Sequence, residues 1–175
     1  FALSGSLMIS RIRIPKLWVT RGGIPCFCTL NPMALQKIAA FSDGTEGGNP
    51  AGVWIGDELP ATADMQRIAA EVGFSETAFA APLGDGRWRV RYFAPESEVP
   101  FCGHATIALG AALAQREGDG VFALSLSQAE ITVEGRRAGD LVQAALQSPP
   151  TRSGPVPAGL LADALALFGL SAADL

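Results

Sequence analysis

The stretch from Ala105 to about Arg116 constrains the fold more than any other part of the chain. Ala105, Ile107, Ala108, Leu109, Ala111, Ala112, Leu113 and Ala114 would cover nearly the whole circumference of a helix. A helix that is apolar all round has no face to give to water and must be buried. The other elements therefore have to wrap around it. Elsewhere Gly, Arg and Pro interrupt every apolar run, so no stretch approaches the roughly 20 residues of a membrane-spanning helix.

The wrapping elements read mostly as strands. Leu35 to Phe41 is a first strand, and the turn formers from Ser42 through Pro50 make a loop. Those glycines are followed by neither Gly-Lys-Ser/Thr nor a G-x-G-x-x-G pattern, so both nucleotide-binding fingerprints fail. Residues 62–72 predict an amphipathic helix: Thr62 is placed to cap it, Met65, Ile68, Ala69 and Val72 fall on one face, and Gly73 follows as a stop. Strands are expected from Phe74 to Ala81 and from Arg87 to Ala94. In the second, Trp88, Val90 and Tyr92 alternate with Arg87, Arg89 and Arg91, which should face water. After the buried helix come strands at Val121–Ser127, Ala129–Glu134 and Asp140–Gln147, with a turn at Gly135-Arg136-Arg137. A proline-rich linker then leads to a helix near Leu160–Phe168. The sum is an α+β fold, a mostly antiparallel sheet curled around one alanine-rich helix.

Charge and cysteine content narrow the function classes. Four of the thirteen basic residues lie in residues 1–32, so the remaining nine face all seventeen acidic ones, a net −8. Such a body lacks the clustered Lys and Arg that neutralise phosphates, so no nucleic acid is expected as a partner. No membrane partner is expected either. Cys26, Cys28 and Cys102 are too few for a disulfide framework, which fits a reducing cytoplasm. Cys26 and Cys28 form a lone C-x-C without a second pair, and no metal is expected. Residues 1–32 show neither helical nor strand periodicity, and lack both an arginine stripe and an apolar signal core. They are expected to be an extension ahead of Met33.

Two places stand out as chemistry. Glu76 is the only ionisable side chain between Glu71 and Asp85, and its neighbours Phe74, Ala78 and Phe79 are apolar. A partly desolvated carboxyl binds protons more tightly, as suits a general acid or base. The same pattern also fits an exposed glutamate on an edge strand. The second place is Cys102-Gly103-His104-Ala105-Thr106, at the start of the buried helix. A helix N-terminus offers unpaired N–H groups to a carboxylate or phosphate, and Gly103 permits close approach. His104 is the only histidine, so any imidazole chemistry must use it. A polar cap with a packed free cysteine fits equally.

Gly48-Asn49-Pro50-Ala51-Gly52-Val53, Phe74-Ser75-Glu76-Thr77-Ala78-Phe79, and Arg91-Tyr92-Phe93-Ala94-Pro95 with Glu98 through Thr106 resemble, in order and spacing, the successive signatures of the PhzF family. The resemblance runs from about Met33 to the end of the chain. It implies a diaminopimelate-epimerase-like fold of two similar halves, each a β-barrel around a central helix, with the active site between them. On that basis residues 33–150 are expected to be the N-terminal half, and 151–175 a linker and the start of a truncated second one. The resemblance further implies a cofactor-free isomerase, as in the best-known member, which acts on a dihydro-hydroxyanthranilate. Glu76 would move a proton between carbons of a small carboxylate-bearing substrate. Ser75 and His104 would orient that substrate, with Gly103 near its carboxylate.

Two features depart from the family pattern. Ala39 stands before Ala40-Phe41 where an acidic residue is common, and the second half that would close the cleft is expected to be truncated, which would leave this chain alone inactive. Two other expectations follow. Related enzymes of this fold are racemases or epimerases that would use a cysteine at Cys102. Alternatively, the chain is a non-catalytic fragment that pairs with itself or with a complementary half, so a homodimer, or association through the face of the missing half, is expected.

Overall fold

The computed structural model describes residues 7–12, 35–42, 46–139, 141–148 and 154–174. In chain order these form β1 (Leu7–Ile12), β2 (Leu35–Ala40), β3 (Asn49–Ile55), α1 (Thr62–Val72), β4 (Thr77–Pro82), β5 (Arg87–Phe93) and β6 (Glu98–Val99). There follow α2 (Gly103–Glu117), β7 (Gly120–Ser125), β8 (Glu130–Ala138), β9 (Leu141–Gln147), α3 (Ala158–Leu167) and a 3-10 turn at Ala172–Asp174. Cys26, Cys28 and the Pro149-Pro150 pair lie outside the described residues.

The strands form one sheet in the order β1-β9-β8-β7-β5-β4-β3-β2, with β6 added to β5. It curls around α2, in which every residue from Ala105 to Ala114 is buried. Ile107, Leu109 and Leu113 are wholly out of water, which contributes about 1.5–3 kcal/mol for each side chain. The fold is the expected α+β half-barrel around a central helix.

Most neighbouring strands are antiparallel, but β3 pairs with β4 and β5 with β7 in parallel. A parallel pair needs a crossover, and the two helices supply them: α1 connects β3 to β4, and α2 lies between β5 and β7. The crossovers cover opposite faces of the sheet. Val53, Ile55, Ala78, Ala80 and Tyr92 join the core around α2. Their neighbours Trp54, Phe79 and Phe93 pack instead with Met65, Ile68, Ala69 and Val72 of α1. Strand β3 was not foreseen for this reason: residues 51–55 are all buried, and a strand covered on both faces shows no alternation.

The expected turn at Gly135-Arg136-Arg137 is corrected. Strand β8 runs on to Ala138, and the chain reverses at Gly139, whose φ is +66°. Gly135 is a packing glycine: a Cβ there would lie 2.4 Å from the Gly110 carbonyl oxygen and 2.7 Å from Ala114 Cβ. Helix and strand backbones touch at this point. Thr62 is likewise not the cap of α1. Ala61 occupies that position, and the Thr62 hydroxyl accepts from Arg91 Nη1 at 3.0 Å. Of the three arginines, only Arg87 is exposed, while Arg89 and Arg91 are half-buried. The aperiodic extension also contributes structure, since Leu7–Ile12 pairs antiparallel with Val142 to Gln147 of β9. Backbone pairing at a free sheet edge requires no side-chain pattern.

The start of α2 is fixed by a buried polar relay. Thr106 Oγ1 donates to the Cys102 carbonyl at 2.7 Å, and the same oxygen lies 2.7 Å from the Tyr92 hydroxyl. With the Thr106 proton committed, Tyr92 must be the donor of the second bond. Burial pushes the Tyr92 phenol well above its ordinary range, so it keeps that proton.

Two stability outcomes follow. Gly135→Ala should lose about 1–3 kcal/mol through overpacking against the α2 backbone, read as a lower denaturant midpoint at unchanged m-value. Thr106→Val should cost about 1–3 kcal/mol, because it leaves a buried phenol unpartnered. Tyr92→Phe, which removes the donor itself, should cost less than Thr106→Val in the same titration.

Candidate active site

The site lies where the apolar helix acquires its first polar turn. Strand β4 begins at Thr77, later than expected, so Ser75 and Glu76 sit in the short connection between α1 and β4. The Glu76 carbonyl accepts from the Gly52 amide of β3 at 3.1 Å, which ties this connection to the sheet. Gly52 also has to be a glycine, since a Cβ would stand 2.5 Å from Thr77 Oγ1. The side chain of Glu76 keeps 23% of its accessibility and that of His104 only 10%.

Cys102 is the N-cap residue of α2, with extended backbone, and Gly103 and His104 open the helix. The segment that delivers them is clamped. Arg91 donates to both Glu98 oxygens, at 2.7 and 2.6 Å, and holds its carboxyl below the ordinary range. The Gln66 amide of α1 donates to the Ala94 and Pro95 carbonyls at 2.8 and 2.9 Å. The Arg91–Glu98 pair and Gln66 were not singled out from the sequence. Only the spacing of opposite charges across Ala94-Pro95 hinted at the former.

The clamped segment and the β4 connection meet at one imidazole. His104 Nε2 lies 3.6 Å from Glu76 Oε2 and 3.5 Å from Ser75 Oγ. Its other nitrogen, Nδ1, lies 3.2 Å from the sulfur of Cys102. The structure thus gathers Ser75, Glu76, Cys102, Gly103 and His104 in one place. Burial pushes the Cys102 thiol up to about 11, helped by the adjacent Glu76 carboxylate. The amides of Ala105 and His104 act the other way, with smaller effect.

Glu76, Cys102 and His104 each offer a metal-ligand atom, all within 4.8 Å of one another. The thiol lies nearer Nδ1 and the carboxylate nearer Nε2. The arrangement suits hydrogen bonding and proton transfer: a carboxylate acceptor, an imidazole relay, a hydroxyl and a protonated thiol at a helix N-terminus. Among the described residues no helix is long and apolar enough to cross a membrane.

Comparison with known proteins places this geometry in a family. Residues 38–172 match the family of phenazine biosynthesis-like proteins, PhzC-PhzF. An uncharacterized isomerase of Deinococcus radiodurans is 49% identical over 89 residues, covering 51% of this chain and 29% of the relative. An uncharacterized isomerase of Pseudomonas aeruginosa is 36% identical over 136 residues, 74% of this chain and 49% of the relative. The chain therefore spans half or less of the length of these relatives. Among solved structures, a predicted epimerase of Pseudomonas aeruginosa superposes with a TM-score of 0.70 at 26% identity, over 81% of this chain and 52% of that one. A PhzF-family protein of Enterococcus faecalis gives 0.54 at 31% identity, over 57% and 39%. The ordered motifs, the half-barrel around α2 and these matches agree, and the chain belongs to the PhzC-PhzF family of phenazine biosynthesis-like proteins.

Proposed function

We propose that this chain supplies one catalytic wall of an isomerase that moves a proton between carbons of a small carboxylate-bearing substrate, without metal or organic cofactor. The observation that carries the reading is the half-buried Glu76 carboxylate, flanked by Ser75 and by His104 Nε2 at 3.6 Å, at the mouth of α2. Glu76 takes the proton from one carbon and returns it to another. His104 and Ser75 orient the substrate, and the N-terminal amides of α2 beside Gly103 receive its carboxylate. The isomerase names of the relatives support the same reaction class.

The racemase alternative gives the base role to Cys102 and requires a thiolate near neutral pH. A thiol pushed up to about 11 holds its proton there, which favours Glu76 as the base. Association is the other part of the reading. Leu160, Leu167, Phe168 and Leu170, in and just after α3, are exposed apolar side chains. We assign them to an interface with a second copy of the chain in a homodimer.

Three outcomes test these roles. In a protein carrying both halves, Glu76→Gln should lower deuterium exchange from D2O into a dihydro-hydroxyanthranilate by about 10²–10⁴-fold with binding retained; undiminished exchange would rule out Glu76 as the base. In a Cys26→Ser/Cys28→Ser chain, alkylation of Cys102 by iodoacetamide should keep accelerating beyond the ordinary thiol pKa of about 8.5. A plateau near neutral pH would restore the racemase reading. Sedimentation equilibrium of the chain should show a dimer that Leu167→Glu/Phe168→Glu dissociates, and a wild-type monomer would refute the interface.

A further inference from the structure

Cys102 has no part in the proton transfer assigned to Glu76, yet its sulfur is 3.2 Å from His104 Nδ1. The contact matters because the two nitrogens of a neutral imidazole are not equivalent: one donates and the other accepts. On the Nε2 side stand Glu76 Oε2 at 3.6 Å and Ser75 Oγ at 3.5 Å. An ionised carboxylate can only accept, so the ring serves Glu76 only if its proton is on Nε2. Nδ1 is then an acceptor, and the proton it meets is the thiol's.

We propose that Cys102 is a positioning residue that fixes the tautomer of His104. Its S–H donates to Nδ1, which commits the ring proton to Nε2 and aims it at Glu76 and Ser75. The helix geometry supports this direction. The backbone amides of Ala105 and His104 act on the sulfur from the α2 N-terminus, and a sulfur that accepts from amides is a better donor through its own proton. Burial, with the Glu76 carboxylate adding to it, keeps the thiol protonated at neutral pH. The order is therefore helix amide to sulfur, thiol to Nδ1, and Nε2–H turned toward Ser75 and the base. The consequence for catalysis rests on Glu76 being the base, whereas the hydrogen bond itself does not.

The competing acceptor for the thiol proton is Glu76, whose carboxylate lies within 4.8 Å of the sulfur and raises the thiol pKa through a side-chain hydrogen bond as well as through its charge. Donation there would leave Nδ1 free to carry the ring proton and turn Nε2 into an acceptor facing an anion. That arrangement sets two acceptors, Nε2 and the Glu76 carboxylate, against each other at 3.6 Å.

His104 is the only histidine, so the chain labelled with ¹⁵N-histidine gives one imidazole in a long-range ¹H–¹⁵N spectrum. The spectrum is recorded under mildly alkaline conditions. The wild-type chain should show a protonated Nε2 and a hydrogen-bonded, unprotonated Nδ1. Cys102→Ser should keep that pattern, because a hydroxyl also donates. Cys102→Ala should move both shifts toward the tautomer mixture of the urea-unfolded chain. A proton on Nδ1 in the wild type, or wild-type shifts in a folded Cys102→Ala chain, would overturn the assignment.

A second reading leaves Cys102 in place. In the Cys26→Ser/Cys28→Ser chain the Raman S–H stretch should lie below its position in the unfolded chain and stay low in Glu76→Gln. An unshifted band, or a shift abolished by Glu76→Gln, would place the thiol proton elsewhere and end the proposal. Both measurements are made without substrate, so they hold or fail separately from the exchange assay that tests Glu76 as the base.

Discussion

Everything in this fold depends on burying α2. Its residues from Ala105 to Ala114 are out of water on every side, so the sheet has to curl around the helix. Small side chains set how tightly it can do so. At Gly110 and Gly135 the helix and β8 meet nearly backbone to backbone, with no room for a Cβ on the strand. An alanine-rich helix contributes less apolar area per residue than a leucine-rich one, and close approach compensates through dispersion contacts. The same closeness makes the barrel intolerant of added methyl groups.

A helix sealed along its length can meet a ligand only at an end, and here the polar residues are concentrated at the first turn. The Tyr92 to Thr106 to Cys102 carbonyl relay pins that turn from inside the core. Arg91, Glu98 and Gln66 pin the incoming segment from outside. The β4 connection then brings Ser75 and Glu76 alongside, held through the Gly52 amide. The side chains gathered at this end are thus held by packing and hydrogen bonds from both inside and outside the barrel.

The helices were legible because their signals are local. The four apolar positions of α1 and its glycine stop lie within a dozen residues, and α2 is recognisable from composition alone. What failed depended on the third dimension. Strand β3 lost its alternation because helices cover both faces of the sheet, and Gly135 looked like a turn because the helix that excludes its Cβ lies 25 residues away in sequence. Ser75, Glu76, Cys102, Gly103 and His104 could be named in advance as two short motifs. Their meeting at one imidazole could not, since it follows from the sheet order that sets the β4 connection beside the α2 N-terminus.

That meeting makes the protonation of one sulfur decisive. Glutamate, cysteine and histidine are all good metal ligands, and here their ligand atoms lie within 4.8 Å of one another. A metal takes the thiolate, whereas burial and the neighbouring Glu76 carboxylate hold Cys102 in the thiol form. While the sulfur keeps its proton, the three side chains meet as hydrogen-bonding partners, and the contacts at 3.2 and 3.6 Å on the two imidazole nitrogens are the ones that orient the ring.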